Sequence, residues 1–313
     1  ELVLRRARGY APLPCTTLPD SRSPSPDSLL AVGAQLKNTS ALSVNGQVFI
    51  TQHIGDLETV PALNAFEKAI ADFQQLYQVK PMAIACDLHP DYFSTQFAQN
   101  SGLPVIPVQH HYAHVLSCMA ETDLIGMDKP VLGIAWDGTG YGLDGTIWGG
   151  EFLLVTETSF ERVAHLRTFR LTGGEKAIKE PRRIAIGLLY EIFGEDLFEM
   201  RHLAPVQAFS DRDLGILQTM LQRNLNTPVT SSVGRLFDAI ASIVGLRQQT
   251  QFEGQAAMEL EFAIAELNTN DKYAFTIQEK AKLPLVLDWK PTLLEILADI
   301  DCGLSLGEIS AKF

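Results

Sequence analysis

Three histidines fall within five residues in "VQHHYAHVLSCMAE", residues 108–121, where an apolar strand-like run gives way to a helical pattern. On a helix, positions four apart are offset by about 40° around the axis, so His110 and His114 project from nearly one face and can share a metal ion. His111 lies about 100° from His110 and is the weaker partner. Ser117 and Glu121 continue the polar stripe, while Tyr112, Val115, Leu116 and Met119 give the helix an apolar back. The same i, i+4 spacing also suits two hydrogen-bonded structural imidazoles, and spacing alone does not choose between these readings.

A third candidate ligand is Asp137, placed at the end of the strand "VLGIAW". Ligands of open α/β sheets collect beyond the carboxyl ends of strands. Two imidazoles and a carboxylate suit Fe(II) or Zn(II), with positions left for water or a phosphate oxygen. Taken alone, Asp137 reads first as a turn-initiating aspartate. The segment "DGTGYGLDG" that it begins is expected to be a Gly-rich turn between two strands, whereas a dinucleotide fingerprint runs from a strand into a helix, so a Rossmann unit is disfavoured. Such a hairpin can wrap a polyphosphate with its N–H groups, or be no more than a hairpin.

Further on, "SSVGRLFDAIASIVG" offers a serine N-cap and an apolar stripe at Phe237, Ile240 and Val244. Asp238 is off that stripe and could reach a ribose hydroxyl. On its own it reads as an exposed carboxylate near a helix start, favoured by the dipole. Cys118, one turn beyond His114, reads as a small buried residue outside the site.

The elements that must carry these groups can be traced in order. Residues 1–14 are basic and extended, and "CTTLPDSRSPSPDS" is a Pro- and Ser-rich connector. From Leu29, short apolar runs broken by "LKNT" and by Asn45-Gly46 predict three strands with a hairpin. Leu63, Phe66, Ile70, Phe73 and Tyr77 then recur at spacings of 3 and 4, the stripe of an amphipathic helix. A buried strand "MAIAC", a helix near 91–100, a strand "LPVIPV" and the histidine helix complete a βββαβαβα order. After Pro130, "VLGIAW", "TIWGGEFLLV" and "ERVAHLRTFRL" predict a second trio of strands. Helices follow around 176–194, 211–224, 233–245 and 255–268, with weak strand signals near 273–277 and 285–287. Two βββ openings suggest a duplicated α/β architecture.

The totals set outer limits. At 313 residues the chain has room for two domains or one two-lobed unit. With 25 basic and 37 acidic residues the formal charge is −12, which disfavours broad attraction to nucleic acid or anionic lipid. Its 46% hydrophobic and 20% charged composition is that of an ordinary globular protein, with no apolar run long enough to cross a bilayer. Cys15, Cys86, Cys118 and Cys302 form no CxxC pair, which argues against a zinc knuckle and a disulfide framework and points to a reducing cytoplasm. The opening at Glu1 and the closing "LSLGEISAKF" suggest a fragment of a longer chain.

Taken together, "RRARGYAPLP", "LLAVGAQLKNTSAL", "TQHIGDLET", "VQHHYAHVLSCMAE", "WDGTGYGLDGTIWGGEF", "GGEKAIKEPRR" and "GRLFDAIASIVG" resemble the HypF family, carbamoyltransferases of nickel-iron hydrogenase maturation. The resemblance implies a duplicated actin, Hsp70 and sugar-kinase fold (ASKHA), related to the threonylcarbamoyl-transfer enzymes of tRNA modification. Residues 1–28 would be the tail of a YrdC-like module and a linker, 29–130 a first lobe, and 131–313 a second, helix-rich lobe that is incomplete. It implies that His110, His114 and Asp137 bind a divalent metal. Gly138, Thr139, Gly140 and Gly142 would line the phosphate loop, and Asp238 and Gly254 the nucleoside end. Carbamoyl phosphate and ATP would form carbamoyl adenylate at the YrdC-like module, and this domain would pass the carbamoyl group to the C-terminal cysteine of HypE for cyanide ligand synthesis. A related carbamoyltransferase acting on a small molecule or tRNA, or a noncatalytic nucleotide-binding fragment, are the alternatives, and a homodimer stays open. Tyr112 stands where the family usually has another histidine, and the family's final metal-binding Asp is expected beyond Phe313.

Overall fold

Strand pairing begins where the sequence places its first apolar runs. The structure, a computed structural model, describes residues 13–18, 28–126, 129–156, 158–278 and 283–313; residues 1–12 of the basic stretch and 19–27 of the connector lie outside them. The chain divides into two units, one reaching Val131 and including Val155–Phe160, the other comprising Leu132–Leu154 and Glu161–Phe313.

The first unit contains β1 (Thr16–Thr17), β2 (Ser28–Ala31), β3 (Ala41–Val44), β4 (Gln47–Ile50), α1 (Val60–Leu76), β5 (Ala83–Asp87), α2 (Phe93–Asn100), β6 (Val105–Val108) and α3 (His110–Glu121). From β2 onward this is the expected βββαβαβα order. The sheet runs β1-β4-β3-β2-β5-β6. Its first four strands pair antiparallel, and β5 lies parallel to both β2 and β6. Asn45 and Gly46 take φ of 50° and 77°, the two left-handed residues of a type I′ turn, and so set the Val44–Gln47 register. Helix α1 starts on Thr59, whose hydroxyl caps the Ala62 N–H, and buries Phe66 and Ile70. Phe66 is fully buried with Leu30, Leu42 and Ile84; that burial contributes about 1.5–3 kcal/mol. The parallel register puts Asp87 opposite Val108, so β5 ends beside the segment that turns into α3.

The second unit opens with β7 (Val131–Tyr141), β8 (Ile147–Val155), β9 (Phe160–Leu166) and β10 (Phe169–Arg170). There follow α4 (Glu175–Lys179), α5 (Pro181–Phe193), a 3-10 turn (Gly194–Glu199), α6 (Ala204–Gln207), α7 (Asp211–Arg223), β11 (Val229–Thr230), α8 (Val233–Ile243) and α9 (Gln255–Ile264). The unit closes with β12 (Thr276–Gln278), β13 (Leu285–Asp288), α10 (Lys290–Asp301) and α11 (Leu306–Lys312). The sheet order is β10-β11-β8-β9-β13-β12, with β7 also on β8. Strand β13 is parallel to β9 and antiparallel to β12, so this α/β fold has mixed sheets in both units. Ile184, Leu188 and Leu189 of α5 join Leu236, Ala239 and Ile240 of α8 in one core.

Two expectations are corrected here. The helix expected over 176–194 is two helices, because Pro181 lacks an N–H and pushes the preceding residue out of helical space; Glu180 has φ −126° and ψ 80°. The strand expected from "ERVAHLRTFRL" stops at Leu166, and β10 turns away to pair antiparallel with β11. At the break, Arg167 donates its N–H to Leu287 O (2.8 Å), and its carbonyl accepts from Trp289 Nε1 (2.6 Å). Among the described residues all four cysteines are free, and no helix is long and apolar enough to cross a membrane.

Candidate functional site

In the first unit the chemistry sits at the start of α3. Gln109 caps the helix, its Oε1 accepting from Tyr112 N (2.9 Å), which leaves its Nε2 as the group facing His111 Nδ1 at 3.1 Å. An amide NH₂ only donates, so His111 Nδ1 is an acceptor. His111 is fully buried on the same stripe as Val115 and Met119, which corrects its reading as a secondary metal partner. Cys118 is also corrected: it is exposed, because the buried positions run 111, 115, 119 and bypass it.

His110 faces the other way. Its Nδ1 lies 2.7 Å from Asp87 Oδ2, while Asp87 Oδ1 accepts the His89 N–H at 2.8 Å. Asp87 is only 8% exposed, so its carboxylate is held between two donors rather than in water. With the proton on Nδ1, the Nε2 lone pair is left to point outward, the orientation that a carboxylate imposes on a metal-binding imidazole. His110 Nε2 and His114 Nε2 are 3.2 Å apart. Two nitrogens at about 2.0–2.1 Å from one zinc and about 100° apart are separated by roughly that distance. The donor pair therefore fits a shared cation. Asp87 was missed from the sequence; the available signal was its place at the carboxyl end of the buried strand "AIACD", the same argument that selected Asp137.

In the second unit Asp137 does not end its strand. Strand β7 runs on through Gly138, Thr139 and Gly140 to Tyr141, and the turn is confined to the stretch where Gly142 N donates to Thr146 O (3.0 Å). Of the four expected phosphate-loop residues, only Gly142 lies in the turn. The run stays extended because it pairs with β8 and because Asp137 O accepts from Ser232 Oγ at 2.6 Å. Ser232 is the N-cap of α8, accepting from Arg235 N (3.2 Å). A Cβ on Gly234 would stand 3.0 Å from both Asp137 O and Gly138 Cα, so a glycine is what allows the first turn of α8 to lie on this backbone.

The turn has its own clamp. Asp144 Oδ1 accepts from Thr146 N (3.0 Å) and Trp148 Nε1 (2.9 Å), and Oδ2 accepts from Arg162 Nη1 (3.0 Å). Burial pushes the Asp144 carboxyl up, but the Thr146 and Trp148 donors and the Arg162 charge outweigh it and hold it below the ordinary carboxylate range. The Arg162 guanidinium lies 4.1 Å over the Trp148 ring and donates from Nε to the fully buried Glu151 at 2.6 Å. Glu151 and Arg162 thus tie the hairpin to the sheet, a pairing 11 residues apart with no periodic signature.

Asp238 is not an exposed helix-start carboxylate. It is 4% exposed, with Arg235 Nη1 3.0 Å from its Oδ2. Burial raises its pKa from 3.8 to about 6; the Arg235 charge opposes that rise and Glu253 adds to it. Gly254, with φ 78°, caps α9. The second unit thus gathers Asp137, Gly138, Ser232, Gly234, Arg235 and Asp238 around the start of α8.

Two family models match the chain: "Carbamoyltransferase, Kae1-like Domain, second subdomain" over residues 133–313, and "HypF Kae1-like domain" over residues 24–121. It is 47% identical over 324 residues to carbamoyltransferase HypF of Synechocystis sp., covering 100% of this chain and 41% of that protein. Against carbamoyltransferase HypF of Rhizobium leguminosarum bv. viciae it is 41% identical over 258 residues, covering 82% of this chain and 32% of the relative. The crystal structure of full-length HypF in the phosphate- and nucleotide-bound form superposes with a TM-score of 0.88 at 41% identity, over 99% of this chain and 39% of that one. HypF of T. kodakarensis superposes with a TM-score of 0.85 at 33% identity, over 98% and 40%. The chain therefore spans about two fifths or less of the length of these relatives.

Proposed function

The chain belongs to the HypF carbamoyltransferase family, and from that premise we propose that it performs the acyl-transfer step of such an enzyme. A carbamoyl group passes from carbamoyl adenylate, made from carbamoyl phosphate and ATP at a YrdC-like module, to the C-terminal cysteine of HypE. The acceptor thiolate attacks the carbamoyl carbon, the C–S bond forms, the C–O bond to phosphate breaks, and AMP leaves. The sulfur comes from the partner. The product is the thiocarbamate from which the hydrogenase cyanide ligand is made.

The observation that carries this reading is the His110–His114 pair with its Asp87 anchor, whose 3.2 Å spacing suits a shared cation. His110, His114 and Asp137 would hold one divalent metal, iron or zinc, which would supply Lewis-acid stabilisation of phosphate charge. Asp87 fixes the ring of His110. Gly138, Thr139, Gly140 and Gly142 are assigned to the phosphate end, where the start of α8 adds the positive end of its dipole. Asp238 and Gly254 are assigned to the nucleoside end. The two units are read as ASKHA-type lobes of a cytoplasmic enzyme.

Intact-mass measurement of HypE, after incubation with the full-length protein, ATP and carbamoyl phosphate, should show the gain of one carbamoyl group. The gain should be absent with the His110→Ala/His114→Ala variant, and zinc titration by calorimetry should show that this variant has lost the site. Zinc binding identical to the parent protein's would sink the metal assignment, and an unmodified HypE the transfer assignment.

A further inference from the structure

We propose that Arg235 is an anion-binding residue, receiving a phosphate of a nucleotide laid along the Gly138 backbone at the start of α8. This rests on the nucleotide reading above and adds to it a residue that neither motif spacing nor the glycine pattern selected.

Arg235 is 6% exposed, yet its Nε and Nη1 have no hydrogen-bond acceptor among the described residues. Asp238 Oδ2 is 3.0 Å from Nη1, close enough for an ion pair but outside hydrogen-bonding geometry. An arginine kept only to brace its helix would be expected to meet its carboxylate through two parallel N–H···O bonds. Here the fork is left unfilled in a place where unmet donors are costly. The guanidinium is also aimed: Nη2 stands 3.3 Å from where a Gly138 Cβ would be, so it lies against a stretch of main chain that glycine leaves uncovered.

Two sources of positive potential meet there. The guanidinium is one. The N-terminus of the 11-residue helix α8 is the second, with its first N–H groups lacking acceptors inside the helix. The β7 backbone at Asp137–Thr139 beside them is partly exposed. Planar N–H groups match phosphate oxygens in pairs, which an ammonium does not do. The same fork pairs with a carboxylate or a phosphate, and the nucleotide reading selects the phosphate of a nucleoside phosphate.

The test is calorimetric titration of the parent protein, Arg235→Met and Arg235→Lys with ADP, adenosine and pyrophosphate, each variant checked by thermal melting. ADP and pyrophosphate should weaken about 10–100-fold in Arg235→Met and less in Arg235→Lys, because a hydrogen bond to a charged group is at stake. Adenosine should bind all three proteins alike. Unchanged ADP binding in both variants overturns the proposal, and so does equal weakening of ADP and adenosine in Arg235→Lys, which would make the arginine a brace. If the parent protein binds pyrophosphate in an Arg235-dependent way but neither ADP nor adenosine, the anion site stands and the nucleotide reading falls. If it binds none of the three, both fall.

Discussion

Removing the carboxylate of Asp87 should weaken metal binding without touching a metal-binding atom. In the folded chain Asp87 Oδ2 lies 2.7 Å from His110 Nδ1, and the side chain of Asp87 is 5% exposed against 21% for His110. That contact keeps the Nδ1 proton in place, directs the Nε2 lone pair outward and holds it 3.2 Å from His114 Nε2. Loss of such an outer partner typically lowers metal affinity by about 10–100-fold, or about 1.4–2.7 kcal/mol. Asp87→Ala should fall toward the upper end, since it also releases the His89 N–H that Oδ1 accepts at 2.8 Å. Asp87→Asn keeps the shape and a carbonyl acceptor but loses the charge, so it should lie near the lower end. Competition of zinc between the protein and a chromophoric chelator gives the affinities, and cobalt(II) absorption reports whether the ligand geometry survives. Asp87→Ala with the parent affinity and an unchanged cobalt spectrum would show that the aspartate does not orient His110 as a ligand.

Two further perturbations follow from the second unit. In Gly187→Ala the new methyl would sit 1.9 Å from Arg170 O, a backbone atom of β10 that cannot swing aside; overpacking should cost about 1–3 kcal/mol, read as a lower midpoint in urea, and an unchanged midpoint would contradict the close α5–β10 packing. For Asp238, a folded-state pKa near 6 against 3.8 means that the folded chain holds the proton more tightly than the unfolded one. Its contribution to stability is greatest below the lower value and is lost as pH rises through about 6. The stability difference between the parent protein and Asp238→Asn should therefore shift against the parent by an amount on the order of 2–3 kcal/mol from pH 4 to 7. Parallel pH curves would refute the burial argument.

Much of the scaffold is legible in local pattern. Asn45-Gly46 specifies a turn because only residues tolerant of positive φ fit both its positions. The 3-and-4 spacing from Leu63 to Tyr77 specifies which face of α1 is buried. Ser232 is recognisable as a cap because its hydroxyl serves the N–H three residues ahead. The His110–His114 pair belongs with these, since four residues along a helix bring two rings together whatever else the chain does.

Other features depend on neighbours that the pattern does not name. The glycines after Asp137 suggest a turn, yet Ser232, 95 residues away, holds that backbone in β7. Three histidines look alike in sequence, but the stripe shared with Val115 and Met119 buries His111, while Asp87, 23 residues earlier, orients His110. Arg235 and Asp238 have an ordinary i, i+3 spacing, and only the packing of α8 makes them a buried pair. Most elements, their apolar faces and contacts within one helical turn can be read from the residues alone, because those follow from a local backbone repeat. Which carboxylate meets which base, and which charges lose their water, is set only on folding, because desolvation and long-range pairing depend on what the folded chain brings alongside.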